Sequence, residues 1–124
     1  MAKRILVVED DEKSRRLLMD VLGYHGYEVS AVESGELGLE LLRAGRFDAA
    51  LLDIQLPGIS GFDVLSQLRS GSAARIPVVA VTASVLDLDR KKILAAGFDA
   101  YVSKPVNIRE LLQTLELLFT DTPA

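Results

Sequence analysis

Five times along this chain a short apolar run gives way to a stretch whose apolar residues recur at helical spacing, and few architectures satisfy that alternation. The runs are Ile5-Leu6-Val7-Val8, Val29 to Val32, Ala49 to Leu52, Val78 to Val81 and Ala100 to Val102. They are too short for helices and mostly lack the polar alternation of a half-exposed strand. They therefore read as strands, the central ones buried on both faces, the state of a parallel sheet covered by helices. Between them, Leu17, Leu18, Val21 and Leu22 fall on one helix face, and Leu37, Leu41 and Leu42 on another behind a cap at Ser34. Ser60 and Asp63 have capping-box spacing and open a third helix, with Leu65 and Leu68 inward. The fourth helix, Asp87 to Ala96, offers mainly Ile93 and Leu94 as anchors and is expected to be the most weakly held. Asn107 caps a last helix whose stripe runs Ile108, Leu111, Leu112, Leu115, Leu118 and Phe119. Joined by right-handed crossovers, these units predict an α/β doubly wound sheet of five parallel strands in the order 2-1-3-4-5.

With 124 residues and no internal repeat beyond this unit, the chain is expected to form a single domain over 1–124 with a frayed tail, "TDTPA". Apolar residues make up 49% and charged residues 26%, the balance of a globular protein rather than a disordered one. No apolar run reaches the ~20 residues of a membrane span. Acids follow the basic head "MAKR" before a signal peptide could be completed, so a cytoplasmic location is expected. The absence of cysteine rules out disulfides, a thiol nucleophile and a thiolate metal site. A net charge of -4, with the basic residues scattered, argues against binding nucleic acid directly.

In doubly wound sheets the ligand site lies at the carboxyl ends of the strands, near the switch point of the topology. Glu9, Asp10 and Asp11 follow the first strand, and Asp53 closes the third; Thr82, with Ala83 and Ser84, ends the fourth. Lys104 and Pro105 follow the fifth, while Glu33 ends the second at the sheet edge. An unpaired carboxylate at the lip of a core strand is costly, and two acids side by side repel unless a cation joins them. Mg²⁺ suits such a site, since it takes one or two carboxylates, keeps several waters and is completed by phosphate oxygens. The backbone carbonyl of Gln55 can offer one more oxygen. Lys104 can bind a phosphoryl oxygen, Thr82 can donate to another, and Asp53 can act as a carboxylate nucleophile toward phosphorus.

Taken in order and spacing, "ILVVEDD", "LLDIQLPGISGFD", "VVAVTAS" and "YVSKP" resemble the receiver domain of two-component response regulators, over essentially the whole chain. The resemblance implies a flavodoxin-like fold with Asp53 as phosphoacceptor. It further implies Asp10 as direct Mg²⁺ ligand, Glu9 acting through water, Lys104 and Thr82 at the phosphoryl group, and Tyr101 as an aromatic that turns with Thr82. Pro105 matches a residue that usually follows a cis peptide bond. Glu9 stands where many relatives have Asp. The implied partner is a sensor histidine kinase or histidine phosphotransfer protein that phosphorylates Asp53. The signal then leaves through the face of helix four, strand five and helix five to a downstream protein. That makes the chain a single-domain response regulator without an output domain, monomeric or dimerising on phosphorylation, or else a phosphoryl carrier in a phosphorelay or hybrid kinase. It would catalyse only its own phosphorylation and dephosphorylation. Gln55 and Ser84, neither a strong base, suggest slow to intermediate loss of the phosphoryl group.

Two other classes fit less well. A metal-dependent aspartyl-phosphate phosphatase needs an acid two residues after its nucleophile, where this chain has Gln55. A flavin or nucleotide binder would carry a glycine-rich phosphate loop, and neither GxGxxG nor GxxxxGK[ST] occurs. Local readings accompany the site residues. Asp11 is either a helix-start acid or a metal ligand, Tyr101 either packs or moves, and His25 is a solvated turn residue. "DRKK" is a solvated helix face, and Arg15 and Arg16 are candidate kinase contacts.

Overall fold

A computed structural model describes residues 2–45, 47–70, 76–83 and 87–120. The strands are Arg4–Val8 (β1), Glu28–Val32 (β2), Ala49–Asp53 (β3), Val78–Thr82 (β4) and Ala100–Ser103 (β5). The helices are Glu12–Tyr24 (α1), Gly35–Ala44 (α2), Gly61–Ser70 (α3), Asp87–Ala96 (α4) and Ile108–Thr120 (α5). All neighbouring strands pair in parallel, in the order β2-β1-β3-β4-β5, as the alternation predicts. Ser84 and the tail after Thr120 lie outside the described residues.

Successive strand residues point to opposite faces, and the core divides accordingly. Ile5, Val7, Ala49, Leu51, Val79, Val81 and Val102 meet Leu18 and Leu22 of α1 and Leu111 and Leu115 of α5. Leu6, Val8, Ala50, Leu52, Val78 and Ala80 meet Leu39 and Leu42 of α2, Val64, Leu65 and Leu68 of α3, and Ile93 of α4. Fully burying a side chain such as Leu22 or Leu65 contributes about 1.5–3 kcal/mol. Among the described side chains of α4, only Ile93 is buried, consistent with a weakly anchored helix.

The expected helix faces need correction at four leucines. Leu37 and Leu41 are 44% and 37% exposed, and α2 instead buries Gly35, Gly38, Leu39 and Leu42. A Cβ at Gly38 would stand 2.7 Å from Val8 Cγ2 of β1, and one at Gly35 2.7 Å from Val64 Cγ2 of α3, so the helix seats along its glycines. Hydrophobicity alone points to the wrong side because glycine contributes nothing to an apolar stripe. Leu17 is 51% exposed, at the edge of a pocket of about 170 Å³ between α1 and the Lys104–Val106 segment. Leu94 is likewise 51% exposed, which leaves Ile93 as the anchor among the described side chains of α4.

The predicted caps are all present. Ser34 accepts from the Leu37 amide, Asn107 from the Glu110 amide, and Ser60 and Asp63 bond reciprocally. A further device repeats at the opposite end of the sheet. The tripeptide Phe-Asp-Ala occurs at 47–49 and again at 98–100. Asp48 accepts from the Arg4 amide at 2.7 Å, and Asp99 from the Val78 amide at 2.8 Å. Each aspartate thus satisfies the first N–H of a neighbouring strand and helps set its register. Arg69 adds a second hold on Asp99 at 3.2 Å.

Candidate functional site

Asp53, Thr82 and Ser103 are the last residues of their strands rather than loop residues. Ladder-type bonds continue one step further: Glu9 N–H donates to Val32, Ile54 N–H to Val81 and Lys104 N–H to Thr82. Backbone pairing therefore fixes the places from which the polar side chains project. Glu9 and Asp53 continue the two-residue period of Val7 and Leu51, toward α1 and α5. Thr82 continues that of Ala80, on the opposite side, where Tyr101 is the registered partner of Ala80.

Lys104 Nζ stands 2.8 Å from Asp53 Oδ2 and 2.7 Å from Glu9 Oε1. The two acids are buried, at 3% and 2% exposure, and a cation between them is what makes that burial tolerable. Burial works against the Lys104 charge, but hydrogen bonds to Asp53 and Glu9, together with their charges, hold its pKa above the ordinary 10.5. Asp53 Oδ1 accepts from the Gln55 amide at 3.0 Å, and Glu9 Oε2 from the Asp11 amide at 3.2 Å. Asp10 is exposed, yet ligand atoms of Glu9, Asp10 and Asp53 all lie within 4.8 Å of one another. These are hard oxygen donors, the set that suits Mg²⁺.

Thr82 is buried at 6% exposure, and Tyr101 is half-buried with the Arg90 guanidinium 5.9 Å from its ring centroid. The Lys104–Pro105 peptide bond is cis. Asp11 is resolved as the α1 cap, accepting from the Ser14 amide at 2.9 Å. That amide, then the Ser14 hydroxyl, holds its carboxyl below the ordinary 3.8. His25 is exposed at the end of α1, and Arg90, Lys91 and Lys92 are exposed on α4.

Two contacts escape sequence reasoning. Arg15 reaches back from α1 to the carbonyls of Glu9 and Asp10. Gly61 packs so closely that a Cβ there would lie 2.5 Å from the Asp53 carbonyl oxygen. The glycine in "PGISGFD" was the available signal for the second; the first has none in the local sequence.

A doubly wound sheet with three acids and a lysine at its switch point defines a class, and comparison with known proteins specifies it. A family model described as the response regulator receiver domain matches residues 5–116, and the chain belongs to that family. It is 37% identical to the polar-differentiation response regulator DivK of Brucella anthropi over 122 residues, covering 98% of this chain and 99% of that one. Among solved structures it is similar to the chemotaxis response regulator CheY4 of Vibrio cholerae, with a TM-score of 0.89 and 26% identity over 95% of this chain and 99% of that one. The receiver domain of sensor histidine kinase PA1611 from Pseudomonas aeruginosa PAO1, which has a magnesium ion coordinated in its active site cleft, gives a TM-score of 0.89 at 30% identity. That match covers 98% of this chain and all of the other. No helix among the described residues is long and apolar enough to cross a membrane.

Proposed function

We propose that this receiver accepts a phosphoryl group on Asp53 from a phosphohistidine of a sensor histidine kinase or histidine phosphotransfer protein. The observation that carries the reading is Lys104, held between the buried carboxylates of Asp53 and Glu9, beside which the exposed Asp10 brings a third ligand atom within 4.8 Å of theirs. A carboxylate oxygen of Asp53 forms the new bond to phosphorus as the bond to the imidazole nitrogen breaks, and the imidazole leaves with the electron pair. Asp10, Asp53 and the Gln55 carbonyl would hold Mg²⁺. Glu9 would act through water, since Lys104 and the Asp11 amide already engage its two oxygens. When bound, the ion neutralises charge on the phosphoryl oxygens. Lys104 then stays with the transferred group, and the Thr82 hydroxyl turns toward it.

Thr82 and Tyr101 lie on the same side of the sheet, on adjacent strands. Movement of the threonine opens space behind it for the ring, and α4, anchored by Ile93, is the helix best able to respond. The α4-β5-α5 face then presents the signal to a downstream protein. Likeness to a kinase receiver favours a second role, as a phosphoryl carrier in a relay. Transfer from Asp53 back to a phosphotransfer histidine would identify it.

The test is intact mass after incubation with Mg²⁺ and acetyl phosphate, with Asp53→Asn alongside. The expected result is one phosphoryl increment that EDTA prevents and the variant lacks. An increment that persists in Asp53→Asn would sink the assignment.

A further inference from the structure

We infer that Arg15 is a positioning residue for the acidic site: it holds the Glu9–Asp11 turn so that the Asp10 carboxylate meets the cation it shares with Asp53 and Glu9 stands within reach of that cation through water. The inference rests on reading that cluster as a metal site. Its ground is geometric. Arg15 Nη1 donates to the Glu9 carbonyl at 2.9 Å and to the Asp10 carbonyl at 3.3 Å. Those two carbonyls belong to the two acids that follow β1. These two peptide planes flank the Asp10 Cα and so fix the direction of its side chain, and with the Glu9 N–H already held by the Val32 carbonyl they fix that of Glu9 as well. From the other side the Glu9 carboxylate accepts the Asp11 amide, so the turn is held at front and back.

The placement runs against helix electrostatics. Arg15 lies in the first turns of α1, where the macrodipole disfavours a cation, and its backbone amide already bonds to Asp11. Long helical side chains lean toward the N-terminus, which is how this one reaches the carbonyls behind it. It is half-buried, whereas the adjacent Arg16 is exposed. Arg16 therefore provides a control of equal charge on the same helix.

Charge and positioning have opposite signs here, which makes the inference testable. A cation beside a metal site repels the metal, so removing charge alone tightens binding. Losing the clamp loosens it, and supporting groups around a metal site typically cost about tenfold or more in affinity when removed. Mn²⁺ affinity would be measured by the loss of free-ion electron paramagnetic resonance signal, with no phosphodonor present. The proteins are wild type, Arg15→Ala, Arg15→Lys and Arg16→Ala. Arg15→Ala is expected to bind Mn²⁺ about tenfold more weakly and Arg16→Ala as well as wild type or slightly better. Arg15→Lys, which keeps the charge but loses the fork, should fall between them and serves if the alanine variant does not fold. In Arg15→Ala, amide exchange should quicken at Asp11 while Leu18 and Leu22 keep their protection.

Unchanged or tighter Mn²⁺ binding in both Arg15 variants overturns the inference and leaves the metal site standing. Wild-type protein that takes up no Mn²⁺ overturns the metal site and the inference with it.

Discussion

Replacing Lys104 with Met is the most direct probe of what makes the acidic site tolerable. Methionine keeps most of the side-chain volume while removing the ammonium from between Asp53 Oδ2 at 2.8 Å and Glu9 Oε1 at 2.7 Å. Two carboxylates that are 3% and 2% exposed would then retain, among the described residues, the Gln55 and Asp11 amides. Removing one partner of a buried ion pair costs about 3–5 kcal/mol. Because the Lys104 side chain is itself 28% exposed, water reaches the gap and the lower end, about 3 kcal/mol, is expected. In a domain of this size that lowers Tm by about 10 °C. Urea unfolding followed by far-ultraviolet circular dichroism in EDTA measures it. A divalent ion should then restore part of the loss, because binding to the native state alone adds about 1.4 kcal/mol at ten times Kd. The variant should also bind Mg²⁺ more tightly than wild type, since a competing cation has gone. A variant as stable as wild type in EDTA would refute the claim that Lys104 compensates the buried acids.

Gly61→Ala should destabilise by about 1–3 kcal/mol in urea melts, because the new Cβ meets the Asp53 carbonyl oxygen at 2.5 Å and the Ile54 Cα at 2.9 Å, both backbone atoms with little freedom to move. Asp99→Ala removes the acceptor of the Val78 amide and the partner of Arg69, and should cost about 1–3 kcal/mol by the same assay while leaving Mg²⁺ affinity unchanged. Burial, and then the Glu116 charge, raise the Tyr27 pKa above the ordinary 10.0, so tyrosinate absorbance should show one late phase that Tyr27→Phe abolishes. The sign for stability follows. Below pH 10 the contribution is fully present, and it is lost as pH rises through the folded value, because the unfolded chain releases this proton first.

The central buried runs and the caps at Ser34, Ser60 and Asn107 were legible along the chain, because each depends on side-chain period or on a group within three residues. Strand order followed from joining the runs by right-handed crossovers; the edge strand β2 is only half-buried. Residue types with the chemistry for phosphoryl transfer also stood out at the strand ends, since doubly wound sheets collect those ends along one rim. The two Phe-Asp-Ala tripeptides gave no such signal, because what their aspartates hold is forty-four and twenty-one residues away. The faces of α1 and α2 were harder to read. Leu37 and Leu41 looked like core, but α2 seats where its backbone can come closest, and Gly35 and Gly38 allow that on the other side; Leu17 of α1 is left at the edge of the pocket beside Lys104–Val106.

The amino-acid sequence by itself determined the fold class and the chemical types gathered at the rim, because hydrophobic period and residue identity are properties of short segments. Tertiary structure alone decided the distant pairings: Lys104 with both Asp53 and Glu9, and Asp48 and Asp99 with the first amides of neighbouring strands. The physical reason is distance along the chain. A charge fifty-one residues from its partner leaves no periodic trace, and only the packed sheet brings the two within 2.8 Å.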